Sequence, residues 1–585
     1  MLNRAVLLAL VIFLTAGATN DTPSLIEEKN VAVPLRDGVV LRADVLRPQG
    51  RGPFPTLVYR TPYSKDEALV TYPIFRKAAA RGYAVVLQDV RGRYKSAGEF
   101  NPYVNEGRDG FDTIEWAARQ AWSNGKVGTF GLSYPGAVQW LAAMERPPHL
   151  VAMVPAMTFS TPRNFFYSGG VFDLSWMSWI WNSIAADTRV RKSLPGPRTD
   201  EEVDQSWERE RRRMQYGLPL AALPDLREVA PYYYGWMKHP ASDPWWDWAE
   251  LRGKYSRVNA AVLNLSGWHD EAYGPEGALT NFQGLVRARG VGGRDQRTAV
   301  IVGPWVHGVG ATRQPRSGDR EFGTAAAIDY DETVLSWMDA HLRGIKPAQP
   351  QAPVRLFLMG ANQWLESDDW PRTNVQTLYL VKSELGHRGI LSARPSRQKG
   401  SASEFISDPV NPVEDPHSAR RGAFDYRSLE KREDVLIFDS EPLPNDLDVV
   451  GFLQAEMYIS TDALDTDLWV HVVDVAPDGT AFSLMSPGTN VVRASYSQGK
   501  KRRLLSPEKI YRLRFQNLIT GNRFQKGHRV RVMITTSFMP HFSRNLHTGA
   551  LEMNTSEMRK ARIRLHHDSK NASRIELPVL PKESR

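Results

Sequence analysis

Between residues 31 and 158 short apolar runs alternate with segments whose hydrophobic positions recur at helical spacing. Val31-Ala-Val-Pro-Leu35, the turn Arg36-Asp-Gly38 and the apolar-polar run 39–46 predict a hairpin over 31–47. Residues 55–60, 83–87, 127–130 and 150–155 are short, apolar and rich in β-branched side chains, and helical segments such as 110–121 separate them. Strands without polar alternation, joined at crossover length, belong to a parallel sheet covered on both faces. Residues 260–265 and 297–302 continue this series, and a helical pattern over 332–342 closes it. In between, from about 159 to 248, the alternation stops, and eight of the 17 tryptophans fall there. That load in long helical stretches predicts a cap over the sheet, with most of these tryptophans filling its core and one to three lining a pocket. A Pro-rich linker runs from Lys346 to Pro353. Beyond it, short alternating runs at 354–359, 377–381, 451–460, 469–475 and 529–536, spaced by Gly, Pro and Asn, predict an all-β sandwich. The polar stretch 385–436 reads as long loops, and no internal repeat is visible.

The chemistry enters at Gly131-Leu-Ser-Tyr-Pro-Gly136, which joins the run 127–130 to the helical pattern starting at Ala137. A serine on such a strand-to-helix turn is held above the sheet, where the helix N-terminus aims N–H groups at the reacting centre. This is the elbow expected of an α/β-hydrolase, although its second glycine comes one residue later than usual. Taken alone, a tight turn with a solvent-facing serine remains the alternative. A nucleophilic serine also needs a base and an orienting carboxylate, in the chain order Ser, Asp/Glu, His. Asp270 follows the strand 260–265 in Gly267-Trp-His-Asp270, and His307 follows the strand 297–302 in Gly303-Pro-Trp-Val-His307. Open α/β sheets gather their functional groups beyond the carboxyl ends of the strands. Ser133, Asp270 and His307 occupy such positions in the required order.

Several blocks resemble the cocaine esterase, Xaa-Pro dipeptidyl-peptidase and α-amino-acid ester hydrolase family. They are Arg60-Thr-Pro-Tyr63, Asp89-Val-Arg-Gly-Arg-Tyr-Lys-Ser-Ala-Gly-Glu-Phe100, Gly131–Gly136, Gly267–Asp270 and Gly303–His307. In the C-terminal part Asp465-Thr-Asp467, Asp474–Gly479, Gly527–Arg531 and Arg544-Asn545 also match. That family's elbow is Gly-x-Ser-Tyr-x-Gly, so the late glycine fits it. The resemblance implies an α/β-hydrolase core with an inserted helical cap, followed by an all-β jelly roll. The boundaries expected are 24–158 and 249–346 for the core, 159–248 for the cap and 350–582 for the sandwich. It also implies two oxyanion donors, the Tyr134 backbone N–H and the Tyr63 hydroxyl, for which a packed aromatic is the alternative role. Asp89, Arg91 and Arg93 are expected to form a buried ion network supporting the loops. Members that require an α-amino group on the acyl side hold it with carboxylates placed partly two and three residues after the catalytic aspartate. Here those positions are Ala272 and Tyr273, with Glu271 and Asp173 as possible substitutes.

A length of 585 residues calls for two or three structural units, and the apolar and charged fractions are those of a globular protein. Met1-Leu-Asn-Arg4, the apolar run 5–15 and Ala16-Gly17-Ala18 read as a secretory signal peptide over 1–18, hence a periplasmic or secreted protein with no membrane span. With no cysteine there is neither disulfide nor thiolate chemistry. No metal or cofactor is expected, and His566-His567 reads as a surface strand feature. The net charge of +9 concentrates in Arg211-Arg-Arg213 and Lys500-Lys-Arg-Arg503. Neither run carries interleaved aromatics, so both read as solvated surface and no nucleic-acid partner is expected. The function expected is a serine hydrolase acting on a small ester or peptide. Within the family an Xaa-Pro dipeptidyl-peptidase or a β-lactam acylase is the alternative, and outside it a non-catalytic carbohydrate-binding protein. The sequence leaves the oligomeric state open.

Overall fold

The computed structural model describes residues 24–290, 296–346, 351–383, 387–486, 488, 490–499 and 501–581. The expected leader over 1–18 lies outside them. The predicted hairpin forms from strands Leu25–Pro34 and Val40–Pro48, with Val33 opposite Leu41. It starts a ten-stranded sheet that continues through Ala84–Asp89, Phe54–Thr61, Ser123–Leu132, Leu150–Ala156, Ala261–Gly267, Thr298–Gly303, Val354–Leu358 and Gln363–Ser367. From Ala84–Asp89 to Val354–Leu358 every neighbouring pair is parallel. Ala84–Asp89, Ala261–Gly267 and Thr298–Gly303 are buried along their whole length, as the absence of polar alternation required.

Successive side chains of a strand serve opposite faces, and each face has its own core. Val86 packs with Ala137, Val138 and Leu141 under the helices Glu106–Ala118 and Tyr134–Met144. Val85 and Leu87 point the other way, to Phe75, Ala78 and Leu335 on the helices Ile74–Ala80 and Tyr330–Met338.

Three expectations about elements change. Val354–Leu358, expected in the sandwich, pairs with Thr298–Gly303 instead, so the first sheet continues past the linker. The apolar run was legible, but its partner was not. The cap has one long helix, Asp200–Tyr216 of 17 residues, and otherwise short pieces, Ser175–Trp179, Ala185–Lys192 and Pro231–Lys238, so the long helical stretches expected are borne out only in part. The stretch 385–436, read as loops, contains the strands Arg388–Ser392 and Ala402–Ser407, which bury Leu391 and Phe405 while Ile390 and Ile406 face outward, so their short apolar runs were hidden among polar residues.

The C-terminal unit is all-β, with twelve strands linked by hydrogen bonding from Ala402–Ser407 to Ala481–Ser483. Its pairs are antiparallel except Arg388–Ser392 with Leu436–Asp439. Charged side chains in its family-like blocks are structural. Arg493 lies buried between Asp467, at 2.8 Å, and Glu552, at 3.0 Å, and Asn545 donates to Asp467. His528 meets Asp474 at 2.8 Å. Arg211 pairs with Glu208 and Arg213 with Asp225 on the exposed surface expected of that run. In the second basic run Lys501 and Arg503 are exposed as expected, but Arg502 binds Asp465 at 2.9 Å and the Gly549 carbonyl. His567 is not a surface residue: it is buried, with Nε2 at 2.9 Å from the Ser403 hydroxyl.

Candidate active site

Ser133 ends the strand Ser123–Leu132 and caps the helix Tyr134–Met144, with φ 71° and ψ −128°. A side chain in that region costs on the order of 1–3 kcal/mol, which surrounding packing must offset. Gly131 and Gly136 make the bend possible. A Cβ on Gly131 would lie 2.5 Å from the Cβ of Pro135, and one on Gly136 would lie 2.5 Å from the Ala156 carbonyl oxygen. The Ser133 N–H is satisfied by that same Ala156 carbonyl at 3.0 Å. The hydroxyl faces a cavity.

Asp270 and His307 come from neighbouring parallel strands whose ends, Gly267 and Gly303, are in register. The two following loops are laced together. Trp268 N–H donates to the Gly303 carbonyl at 2.8 Å, and His269 N–H donates to the Trp305 carbonyl at 3.1 Å. Across them His307 Nδ1 meets Asp270 Oδ1 at 2.9 Å. That carboxylate oxygen also accepts the backbone N–H groups of Ala272, at 3.0 Å, and Tyr273, at 3.3 Å. The contact fixes the imidazole tautomer, with the proton on Nδ1 and Nε2 left as the basic atom. Burial pulls the imidazole pKa down, but the Asp270 charge and hydrogen bond, with Glu271 beyond, outweigh it and hold His307 above its ordinary value. The neighbouring His269 has no such partner, and burial drives its pKa to about 3.

Tyr63 and Tyr134 flank the serine. Tyr134 is the first helical residue, so its N–H has no intrahelical acceptor. Its ring is fixed by a hydrogen bond to Glu106, at 2.9 Å, and by stacking on Tyr103. Glu106 is itself held by the buried Arg60, at 2.8 Å. The Tyr63 hydroxyl accepts the indole N–H of Trp179 at 2.9 Å and reaches the Ser133 side chain. Burial pushes this phenol up to about 12, so it stays protonated, and with a lone pair taken by Trp179 its proton is free to point at Ser133. Two neighbours were not singled out as site groups from the sequence. One is Trp179, which orients Tyr63. The other is Tyr273, whose hydroxyl also reaches Ser133 and lies 3.0 Å from that of Tyr103. No motif marks Trp179, which is one of many cap tryptophans. Tyr273 was visible only as a position lacking a charge.

The cavity over Ser133 has a volume of about 760 Å³. Tyr63, Tyr273 and His307 line it, together with Trp176, Trp179 and Trp207 of the cap, so three of the eight cap tryptophans reach the pocket. The far wall comes from the C-terminal unit, around Arg421, Phe424, Met485 and Phe538. Asp89, Arg91 and Arg93 support loops as expected, but not as one ion network. Asp89 accepts the Lys65 N–H at 2.8 Å, and burial pushes its carboxyl up to about 6. Arg91 pairs with Asp109 and Asp37. Arg93 donates to the carbonyls of Pro62, Ile184 and Ser183 and lies 3.3 Å from Asp187, tying the residue before Tyr63 to the cap.

A strained serine on a strand-to-helix turn, an Asp-held histidine from neighbouring strand ends and N–H and O–H donors facing the serine define the class: a serine hydrolase on an α/β scaffold. Comparison with known proteins then narrows it. Residues 37–309 match the profile of X-Pro dipeptidyl-peptidases (S15 family), and residues 348–576 match the X-Pro dipeptidyl-peptidase C-terminal non-catalytic domain. The chain is 32% identical to the cocaine esterase of Rhodococcus sp. (strain MB1 Bresler), over 94% of this chain and 98% of that one. It therefore belongs to this family of serine hydrolases. The fold is shared with the aminopeptidase of a marine-sediment Thaumarchaeota archaeon, with a TM-score of 0.78, 24% identity, and 96% and 97% of the two chains covered. An α-amino acid ester hydrolase gives the same TM-score at 23% identity, over 97% and 100% of the two chains.

Proposed function

We propose that the protein hydrolyses carboxylic esters through an acyl-enzyme on Ser133. The observation that carries this is the hydrogen bond between His307 and the buried Asp270, facing one cavity with Ser133. His307 Nε2 takes the hydroxyl proton as Ser133 Oγ attacks the carbonyl carbon. The carbonyl π pair moves to oxygen, where the Tyr134 N–H and the Tyr63 O–H receive it. As the tetrahedral intermediate collapses, the proton on Nε2 passes to the departing alkoxide. Water then repeats the sequence and releases the acid. Asp270 stays ionised throughout and stabilises the imidazolium. Ser133→Ala is expected to fold normally, to lose labelling by a fluorophosphonate and to lose kcat by roughly 10⁴–10⁶-fold. A variant keeping a tenth of wild-type turnover excludes Ser133 as the nucleophile. The label also tests the carbohydrate-binding alternative, since a dead site forms no adduct.

The acyl group favoured is uncharged. Ala272 and Tyr273 carry no charge. Each carboxylate on the cavity wall among the described residues already has a partner: Glu271 has Arg421, Asp331 has Lys77 and Arg313, and Asp415 lies 2.7 Å from Nε2 of His541. Asp173 accepts the Ser175 N–H at 2.7 Å, and burial pushes it up to about 7, which weakens it as a counter-ion. A buried ammonium without a counter-ion costs several kcal/mol. A butyryl aryl ester is therefore expected to give a higher kcat/KM than the matched α-aminobutyryl ester, and Xaa-Pro anilides are expected to be poor substrates. An advantage of ten-fold or more for the aminoacyl ester assigns the protein to the peptidase branch instead.

A further inference from the structure

Glu271 is one residue past the catalytic aspartate, and the triad chemistry does not use it. One of its oxygens, Oε2, accepts the backbone N–H of His307 at 3.0 Å, while the other, Oε1, lies 3.0 Å from Nε of Arg421. Arg421 lies in the C-terminal unit and lines the same cavity. The carboxylate is thus a bridge between two units. On one side it fixes the main chain that carries the base, and on the other it is gripped by a guanidinium from the β unit. Among the described residues the His307 ring makes one side-chain hydrogen bond, the 2.9 Å contact to Asp270, beside a ring contact with Tyr273. Its loop, Gly303 to Gly308, ends in a glycine with φ +127°, whose N–H donates to Met157 Sδ at 3.3 Å.

We infer that Glu271 is a positioning residue for His307, and that Arg421 makes the C-terminal unit a working part of the catalytic base. This rests on the triad reading of Ser133, Asp270 and His307. The charged groups facing His307 are Asp270, Glu271 and Arg421, and the nearest titratable ring is that of Tyr273. Glu271 favours the imidazolium and Arg421 opposes it. The rise of kcat/KM with pH reports the loss of the imidazolium proton, so it is expected at an apparent pKa above the ordinary ~6.5 of histidine. Removing the Glu271 charge lowers that midpoint, and removing the Arg421 charge raises it. Each shift is expected to be a few tenths to about one pH unit for partly screened charges at this range.

Three variants test the inference, with kcat, KM, the pH profile and thermal melting read for each. Glu271→Gln keeps an acceptor for the His307 N–H. It is expected to keep kcat within about three-fold at the pH plateau and to move the midpoint down. Arg421→Gln moves the midpoint up. Glu271→Ala leaves the His307 N–H without its acceptor and is expected to lower kcat by roughly 10–100-fold with KM little changed, as a misplaced base does. Midpoints that stay at the wild-type pH in both glutamine variants overturn the inference, as does full kcat in Glu271→Ala. If the alanine variant does not fold, the two glutamine variants decide. Fluorophosphonate labelling of wild-type Ser133 separates this from the reading it rests on. Labelling with unmoved midpoints overturns the role of Glu271 alone, and absence of labelling overturns both.

Discussion

At the scale of single residues the site depends on saturating some hydrogen-bonding positions and leaving others open. Trp179 occupies a lone pair of Tyr63, and Asp270 occupies one nitrogen of His307. For Tyr63 the remaining proton can point to the serine, whose side chain it reaches, and for His307 Nε2 is left as the basic atom in the cavity that Ser133 lines. A hydroxyl so aimed strengthens its bond as charge develops on the oxyanion, which accelerates the chemical step more than it tightens binding. Tyr63→Phe is accordingly expected to lower kcat by roughly 10²–10³-fold with little change in KM. The result that contradicts this is a change in KM with kcat intact, which marks Tyr63 as a pocket wall. The sequence pointed to Ser133, Asp270 and His307 because each follows a short apolar run and a glycine. It did not point to Trp179, because an indole that orients a phenol looks the same in sequence as one that fills space.

At the scale of elements, what was legible was whatever a local pattern specifies. The parallel strands were readable from runs such as 297–302, whose lack of polar alternation reflects burial on both faces. The elbow was readable because only glycine fits beside Pro135 and beneath the Ala156 carbonyl. Partners distant in sequence were not readable. Nothing within 354–358 tells that it joins the first sheet, and nothing in Arg93 tells that its guanidinium reaches main-chain carbonyls on two elements. That guanidinium joins the loop before Tyr63 to the cap segment around Ile184. Arg93→Met strands several buried acceptors and frees both segments. It is expected to destabilise the fold by about 2–4 kcal/mol, and to lower kcat at temperatures where the variant is still folded. The comparison to make is denaturant unfolding beside turnover at 15 °C. Equal stability excludes the tie.

At the scale of the molecule, the two units press on each other behind the acid. Trp268 is fully buried among side chains of both, and its indole N–H donates to the Phe357 carbonyl at 2.7 Å. The Ser486 hydroxyl meets the carbonyls of Trp268 and Asp270, each at 3.0 Å. Gly521 of the β unit leaves room for that indole, since a Cβ there would lie 2.5 Å from its Cζ2. Gly521→Ala is expected to cost about 1–3 kcal/mol of stability by overpacking. Because Trp268 is two residues before Asp270, it is expected to lower kcat as well, by roughly ten-fold or more. Unchanged melting and turnover show that this contact does not constrain the acid. The shared cavity wall has a consequence for recombination among relatives. The loop bearing Arg421 and Phe424 sits on a different unit from the strained serine turn, so substrate preference can be altered there without disturbing the nucleophile. A chimaera that exchanges whole C-terminal units therefore imports a new half of the pocket, and it keeps the wild-type pH midpoint only if the incoming loop still carries a cation for Glu271.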